Sequence, residues 1–198
     1  MDEIVKKALA KWPNVPSCTG WLALDRRGTW RMRDEKIQAS GAAGVPIVHT
    51  ALLGFICRNY GADEHGQWYF QNGPQRVFIE LAYTPWVVRL HNGRLTDQRG
   101  EAFEPRGAWL DEQGNVLFSD VSEPPRIALL HDHDLDAFAD GVDEQTLNGE
   151  PGNFRTSSGI DVPVATIRSV DVPRRFHFEQ SPAALEKAAA AGASNAAH

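Results

Sequence analysis

The stretch that decides the fold is Gly66–Leu90, GQWYFQNGPQRVFIELAYTPWVVRL, which has the densest aromatic and β-branched content in the chain. Two apolar runs flank Asn72-Gly73-Pro74, and this arrangement predicts a strand, a turn and a second strand. Val77–Tyr83 shows the clearest alternation of the two faces of a strand. Pro85 has no backbone donor for a sheet ladder, so it predicts a bend before Val87–Leu90. We expect the rest of the chain to pack around this hairpin.

The turn motif Asp-x-x-Gly occurs four times between predicted strands, beginning at Asp25, Asp63, Asp97 and Asp111. Glycine accepts the positive φ that a short hairpin connection requires. The four motifs therefore predict an antiparallel meander. The sequences that flank them differ, so turn chemistry alone can explain their recurrence without a duplication.

Helical patterns are fewer. Residues 2–12 carry apolar side chains at helical spacing and are followed by Pro13, which predicts an amphipathic helix. Shorter helices are expected near Thr50–Gly54 and at Asp134–Asp140, and residues 34–46 are expected to form a loop. The predicted fold class is α+β: a mainly antiparallel, twisted β-sheet meander with an N-terminal helix and one or two short helices.

The domain organisation follows from length and from the C-terminal composition. The 198 residues are enough for one domain with a sizeable core. We expect a single globular β-rich domain over residues 1–180. Residues 181–198 are rich in alanine and have few large apolar side chains, which predicts a disordered tail.

Composition also restricts the cellular setting. Cys18 and Cys57 are the two cysteines, and their spacing matches neither a disulfide framework nor a zinc site. A reducing compartment is the simplest interpretation. The first residues, MDEIVKKALAKWP, lack a signal-peptide pattern, and no stretch approaches the roughly 20 apolar residues of a membrane span. We expect a cytoplasmic protein with no membrane partner.

Charge is unevenly distributed. The formal net charge is −6, and residues 111–150 contain eleven acidic residues against one base, Arg126. Such a segment opposes non-specific nucleic-acid binding, which depends on basic side chains that neutralise phosphates. A basic patch with aromatic neighbours precedes it, at Arg26, Arg27, Arg31, Arg33, Trp21 and Trp30. This patch could stack bases, but the alternation is also that of a sheet with one buried face, so nucleic acid is not the expected partner.

The candidate ligand-binding residues are polar side chains within the most apolar region: Gln71, Gln75, Arg76 and Glu80. A small-molecule pocket needs a few placed polar groups on apolar walls, which this mixture would supply. The same side chains could instead satisfy backbone groups of the turn and the ladder.

The candidate metal ligands are His131, His133 and Asp134, within the run HDHDLD of residues 131–136. Imidazoles and carboxylates are common ligands of zinc, iron and manganese. The competing interpretation is that the acidic residues cap the helix that follows. A calcium loop fits less well, because Ala137 stands where such a loop requires glycine.

Four motifs resemble a family of uncharacterised conserved proteobacterial proteins over roughly residues 12–140. They are WLALDRRGTWR at Trp21–Arg31, FICRNY at Phe55–Tyr60, WYFQNGPQRV at Trp68–Val77 and TPWV at Thr84–Val87. The resemblance implies a shared domain of unknown function and assigns no catalytic residue.

Nucleophile and nucleotide-binding motifs are absent from the sequence: there is no G-x-S-x-G, P-loop or G-x-G-x-x-G. The leading hypothesis is therefore a non-enzymatic binding module, without a cofactor, for a small molecule or a partner protein. The alternative is a metal-dependent hydrolase centred on His131–Asp136. The oligomeric state is left open.

Overall fold

The computed structural model describes residues 1–156, 159 and 161–195. It has an α+β fold with two mixed β-sheets. The α-helices of these residues are α1 (Glu3–Lys11), α2 (Glu35–Ser40), α3 (Thr50–Arg58), α4 (Leu135–Ala139), α5 (Glu144–Leu147), α6 (Val172–Phe176) and α7 (Pro182–Asn195). Short 3-10 helices cover Asp132–Asp134 and Ser169–Asp171. None of the helices in these ranges is long and apolar enough to cross a membrane.

Thirteen strands are found in the same residues. Those of the first sheet are β1 (Cys18–Leu24), β2 (Trp30–Met32), β3 (Val45–Pro46), β4 (Tyr60–Ala62), β5 (Trp68–Asn72) and β6 (Gln75–Leu81). Those of the second are β7 (Trp86–His91), β8 (Arg94–Asp97), β9 (Pro105–Leu110), β10 (Val116–Asp120), β11 (Ile127–Leu130), β12 (Gly152–Arg155) and β13 (Asp161–Thr166).

The chain forms two compact units, each built on one sheet. Unit 1 contains Met1–Asp25, Thr29–Ala82 and the chain from Phe178, with strand order β3-β2-β1-β6-β5-β4. Unit 2 contains Arg26–Gly28 and Tyr83–His177, with strand order β12-β13-β9-β10-β11-β7-β8. A single domain over residues 1–180 stays a prediction, which one cooperative unfolding transition would support.

The hairpin predicted from Gly66–Leu90 is present, but the stretch serves both sheets. Strands β5 and β6 pair antiparallel across the Asn72–Gln75 turn, as predicted. Strand β7 belongs to the second sheet, which corrects the expectation that everything packs around one hairpin. Buried Thr84 precedes this change of sheet, and its hydroxyl donates to the Trp86 carbonyl while accepting the Leu129 amide.

Both sheets are mixed: antiparallel pairs predominate among the described strands, as predicted, but parallel pairs interrupt the predicted meander. Three pairs are parallel: β1 with β6, β11 with β7, and β13 with β9. Turn residues reveal hairpins between neighbouring strands, whereas parallel pairs join strands that are distant in sequence and leave no local signal. The number of helices was also underestimated, because α2, α5, α6 and α7 were not expected.

Helices occur in two segments where none was expected. Within residues 34–46, Asp34 accepts the Ile37 amide and caps α2, and Gly41 ends that helix in the left-handed conformation. In the Ala-rich tail, α7 runs from Pro182 to Asn195, and residues 196–198 lie outside the described residues, so a disordered tail stays a prediction. Small residues predicted the loop, and the scarcity of large apolar side chains predicted the disordered tail, but side-chain caps at Asp34 and Glu80 start the two helices.

All four Asp-x-x-Gly motifs form the same turn. In each, one Asp carboxylate oxygen accepts the amide of the residue four positions later, at 2.9 to 3.2 Å. Gly28, Gly66, Gly100 and Gly114 have φ between 76° and 82°. The turns were therefore predictable from sequence because Asp and Gly each meet a separate local requirement.

Substituting Gly100 with alanine tests this requirement without steric interference. An added Cβ at Gly100 meets no atom within 4 Å, so the cost is that of the backbone conformation at φ +82°. We expect Gly100→Ala to lower the free energy of unfolding in urea by about 1–2 kcal/mol. A Cβ added at Gly61 in β4 also meets no atom within 4 Å, but Gly61 has no positive φ. Gly61→Ala should therefore change the free energy of unfolding by less than about 0.5 kcal/mol. Equal losses in both variants would contradict the argument.

Candidate ligand cleft

The two faces of the β5–β6 hairpin separate the four predicted ligand-binding residues. Gln75 lies opposite Asn72, whereas Gln71 lies opposite Arg76. Since side chains alternate along a strand, Gln75 points to one face of the sheet, and Gln71, Arg76 and Glu80 point to the other. The structure therefore does not bring the four together.

The three residues on the second face have structural contacts. Gln71 is 1% exposed, and its amide donates to the Gly73 carbonyl at 3.0 Å, which holds the hairpin turn. The Arg76 guanidinium stacks on the Tyr69 ring, 4.0 Å from its centroid. Glu80 accepts the Ser181 hydroxyl and the Ala183 amide, so it caps the start of α7. A ligand-binding role for these three stays a prediction.

The first face of the sheet carries a cleft of about 490 Å³ in unit 1. Its lining comprises Cys18, Trp21, Leu22, Met32, Ile47, Leu52, Ile56, Phe70, Asn72, Gln75 and Val77. Leu52 and Ile56 come from α3, which packs against β5 and forms one wall. Gln75 is the predicted site residue that lines this cleft.

An irregularity in β1 shapes the opposite wall. Cys18 pairs with Val77 and Leu22 pairs with Ile79, so β1 has two more residues than β6 over this interval. Such a bulge redirects side chains, and here it lets Cys18, Trp21 and Leu22 all reach the cleft. Gly20 lies within the bulge at φ +80°, and a Cβ there would clash with the Gln38 side-chain oxygen.

The sheet of unit 1 is strongly curved on this face. The Trp30 and Tyr60 rings contact edge-to-face, with centroids 5.1 Å apart. Trp30 is on β2 and Tyr60 is on β4, and three strands lie between them. In a flat sheet, four strand spacings would separate them by about 19 Å. The face that carries the cleft is therefore concave.

The lining is apolar and uncharged. None of the described residues that line the cleft is acidic, basic or a histidine. Burial raises the pKa of the Cys18 thiol, and the Glu186 charge adds to this, so the thiol is neutral at pH 7. The polar groups are the amides of Asn72 and Gln75, and Gln75 donates from Nε2 to the Pro16 carbonyl at 3.2 Å. Trp21 and Met32 are 43% and 53% exposed, so they form its accessible rim.

The sequence identified few of these residues because their exposure depends on distant elements. The alternation of Trp30 and Met32 with arginines predicted one buried face, yet Met32 is half-exposed. Of the basic patch, Arg31 pairs with Asp25 at 2.7 Å and Arg27 pairs with Asp132. One sequence signal could have indicated the bulge of β1: the glycine before Trp21, since an isolated glycine within a strand pattern suggests a bulge.

The predicted metal ligands lie close together but are engaged with other groups. Nδ1 of His131 accepts the His133 backbone amide at 3.2 Å, so His131 caps the 3-10 helix Asp132–Asp134. The buried Asp134 carboxylate accepts two hydrogen bonds from Arg89, at 2.6 and 3.0 Å, and the Leu90 amide at 2.9 Å. Burial, followed by the Arg89 charge, lowers the pKa of His131.

These contacts refine both sequence hypotheses for residues 131–136. Capping is performed by His131 rather than by Asp132 or Asp134. Across the described ranges, no group of three or more His, Cys, Asp or Glu side chains is arranged to hold a metal ion. Metal binding by His131, His133 and Asp134 stays a prediction without geometric support.

Comparison with known proteins places the chain in a family. The family model DUF2944, described as "Protein of unknown function (DUF2946)", matches residues 1–183. The chain belongs to this family. The predicted resemblance to uncharacterised proteins is thereby confirmed.

Solved structures similar to the chain come from bacteria. A DUF1285 family protein from Silicibacter pomeroyi DSS-3 is 18% identical, with 84% of this chain and 97% of that chain covered and a TM-score of 0.49. A second DUF1285 family protein, from Shewanella baltica OS155, is 8% identical, with 61% and 91% covered and a TM-score of 0.41. No curated protein matches the chain.

Replacing Asp134 tests whether it stabilises the fold through Arg89. We expect Asp134→Ala to lower the free energy of unfolding by about 2–4 kcal/mol, because charge-assisted hydrogen bonds and a buried amide lose their acceptor. Asp136→Ala, an exposed change two residues later, should cost less than about 0.5 kcal/mol.

Chelator should leave the melting temperature of the natural chain unchanged. A drop of several degrees would instead favour the metal hypothesis.

The same carboxylate predicts a pH dependence. Burial raises the pKa of Asp134, but the Arg89 and Leu90 hydrogen bonds outweigh burial, and the pKa lies below its ordinary value. The stabilisation is therefore complete above the pKa of the unfolded chain, about 4, and is lost as pH falls through the lower folded value. Urea unfolding at pH 7 and pH 3 measures how much the free energy of unfolding falls on acidification. This fall should be smaller in Asp134→Ala than in the natural chain. An equal fall in the free energy of unfolding in both proteins would exclude a stabilising role for the Asp134 carboxylate.

Proposed function

We propose that unit 1 is a binding module for a small, uncharged and mainly apolar molecule, held in the cleft beneath α3. The observation that carries the proposal is the cleft itself. Its volume of about 490 Å³ falls within the range of roughly 300–1,000 Å³ that is typical of small-molecule sites. Apolar walls with a few polar groups are the usual composition of such sites.

The absence of charge in the lining selects the ligand class. An ion that leaves water must find a partner of opposite charge, or the transfer costs several kcal/mol or more. No such partner is present among the described lining residues. The amides of Asn72 and Gln75 can each donate and accept, which suits a ligand with one neutral polar group such as a hydroxyl, carbonyl or amide.

The rim suits ligands that differ in shape. Met32 is unbranched and polarisable, and methionine adapts to irregular surfaces at low cost. Trp21 provides a large apolar face whose indole nitrogen can donate a hydrogen bond. We favour a small molecule over a partner protein because the apolar side chains converge on a concavity instead of forming a flat patch.

Binding is favoured over catalysis by the same lining. Cys18 is the titratable side chain that faces the cleft, and its raised pKa keeps it as a thiol, which is a weak nucleophile. A second catalytic group that could take its proton is not found among the described lining residues.

Titration with Nile red, a neutral apolar dye whose fluorescence rises in apolar surroundings, tests the proposal. We expect saturable binding by the natural chain and at least about tenfold weaker binding by Met32→Asp, since burying an unpaired carboxylate under the dye is costly. Met32 is 53% exposed, so the fold should survive the change.

The matched control is Val48→Asp. Val48 is 83% exposed and adjoins Ile47, yet it does not line the cleft. This variant carries the same added charge in the same unit and should bind the dye as the natural chain does. If both variants bind equally well, or if the natural chain shows no saturation, the cleft is not the binding site and the proposal fails.

A further inference from the structure

Unit 2 contains a second cleft whose chemistry differs from that of the first. Its volume is also about 490 Å³. Its lining includes the apolar side chains of Leu110, Leu147 and Ile167 and the charged side chains of Glu112 and Arg168. Three chain segments meet there: the Asp111–Gly114 turn, the end of α5 and the end of β13. This cleft combines apolar side chains with two opposite charges.

Backbone geometry keeps the walls close together. Gly149 follows α5 at φ +89°, and the Thr166 methyl carbon lies 3.6 Å from where a Cβ would stand. Ile167 donates its backbone amide to the Leu110 carbonyl at 3.0 Å, which joins the end of β13 to the start of the turn. The walls therefore belong to hydrogen-bonded elements.

The negative charge is held by Glu112. Its carboxylate accepts the Ser169 hydroxyl and the Ser169 backbone amide, the latter at 2.8 Å. These hydrogen bonds lower the pKa of Glu112, so it is ionised at neutral pH. A carboxylate has about four acceptor positions, which leaves capacity for a further donor. Asp111, by contrast, is buried and already accepts the Tyr83 hydroxyl and the Asn115 amide.

The positive charge is that of Arg168. Its guanidinium is exposed and makes no ion pair within 4.0 Å among the described residues, and its charge helps to lower the pKa of the neighbouring Glu112. A guanidinium presents paired donors that match the two oxygens of a carboxylate. Leu110, Leu147 and Ile167 supply the apolar part of the lining, and Leu147 is 46% exposed.

We propose that this cleft binds a zwitterionic α-amino acid with an apolar side chain. Arg168 receives the ligand carboxylate, Glu112 receives the ammonium group, and the ligand side chain lies on Leu110, Leu147 and Ile167. A simple anion would be repelled by Glu112, and a simple cation would be repelled by Arg168. A zwitterion is attracted to both groups, so the arrangement selects it over either. The proposal does not depend on the function proposed for unit 1.

Nuclear magnetic resonance of the full chain labelled with nitrogen-15 tests this proposal, with L-leucine as the probe. Gly114 and Gly149 line the cleft, so their amide resonances should shift on titration. Both charges are exposed, so we expect a dissociation constant in about the millimolar range. N-acetyl-L-leucine lacks the ammonium group and L-leucinamide lacks the carboxylate. Each should bind about fivefold more weakly or worse, since each loses one of the two charge contacts.

Variants locate the contact. Arg168→Gln should weaken leucine binding about fivefold and should no longer distinguish leucine from leucinamide. Arg174→Gln removes an exposed arginine of α6 that does not line the cleft, and it should bind as the natural chain does. Equal affinity for leucine and leucinamide in the natural chain would overturn the proposal, as would the absence of shifts at Gly114 and Gly149 at about 20 mM leucine.

Discussion

The parallel pairing of β1 with β6 is the constraint on which unit 1 depends. Leu22 pairs with Ile79 and Leu24 pairs with Leu81, and all four side chains are buried. Parallel strands cannot be joined by a tight turn, so the chain must leave the sheet and return. The intervening residues form β2, α2, β3, α3, β4 and β5, and these elements build both ends of the sheet. The cleft follows from this connection. Helix α3 belongs to the segment between β1 and β6, and it lies on the sheet face where the bulge in β1 places side chains of the cleft wall.

The repeated turn aspartates connect local and tertiary structure. In each motif, Oδ1 accepts amides of the turn while Oδ2 faces a side chain. The Oδ2 partners are Arg31 for Asp25, Arg76 for Asp63, Arg99 and Arg126 for Asp97, and the Tyr83 hydroxyl for Asp111. The Asp97 side chain is fully buried, and two guanidiniums and the turn amides surround it, which offsets the cost of its burial. Asparagine could make the turn, but it could not make the ion pairs of Asp25, Asp63 and Asp97.

How much of this could be predicted from sequence depends on the range of the interaction. The β5–β6 hairpin, the four turns and α1 follow from signals within a few residues, and the sequence predicts them correctly. The transfer of β7 to the second sheet and the three parallel pairs depend on contacts between residues 40 or more positions apart. Helix α2 lies between these cases: Asp34 and Gly41 are recognisable caps, but the surrounding small residues indicated a loop.

Strand β6 of the candidate site also combines a feature that local sequence predicts with one that distant contacts decide. Period-two alternation in β6 already separates Gln75 from Arg76 and Glu80, so no single pocket could take all of them from one face. Alternation does not reveal which face stays open. That outcome is decided by two helices that are remote in sequence: α7 begins on the face of Glu80 and uses its carboxylate as a cap, while α3 leaves space beside Gln75. A polar side chain among apolar neighbours is therefore ambiguous until the element that covers it is known. In this chain both outcomes occur five residues apart: Glu80 caps a helix, and Gln75 lines a cleft.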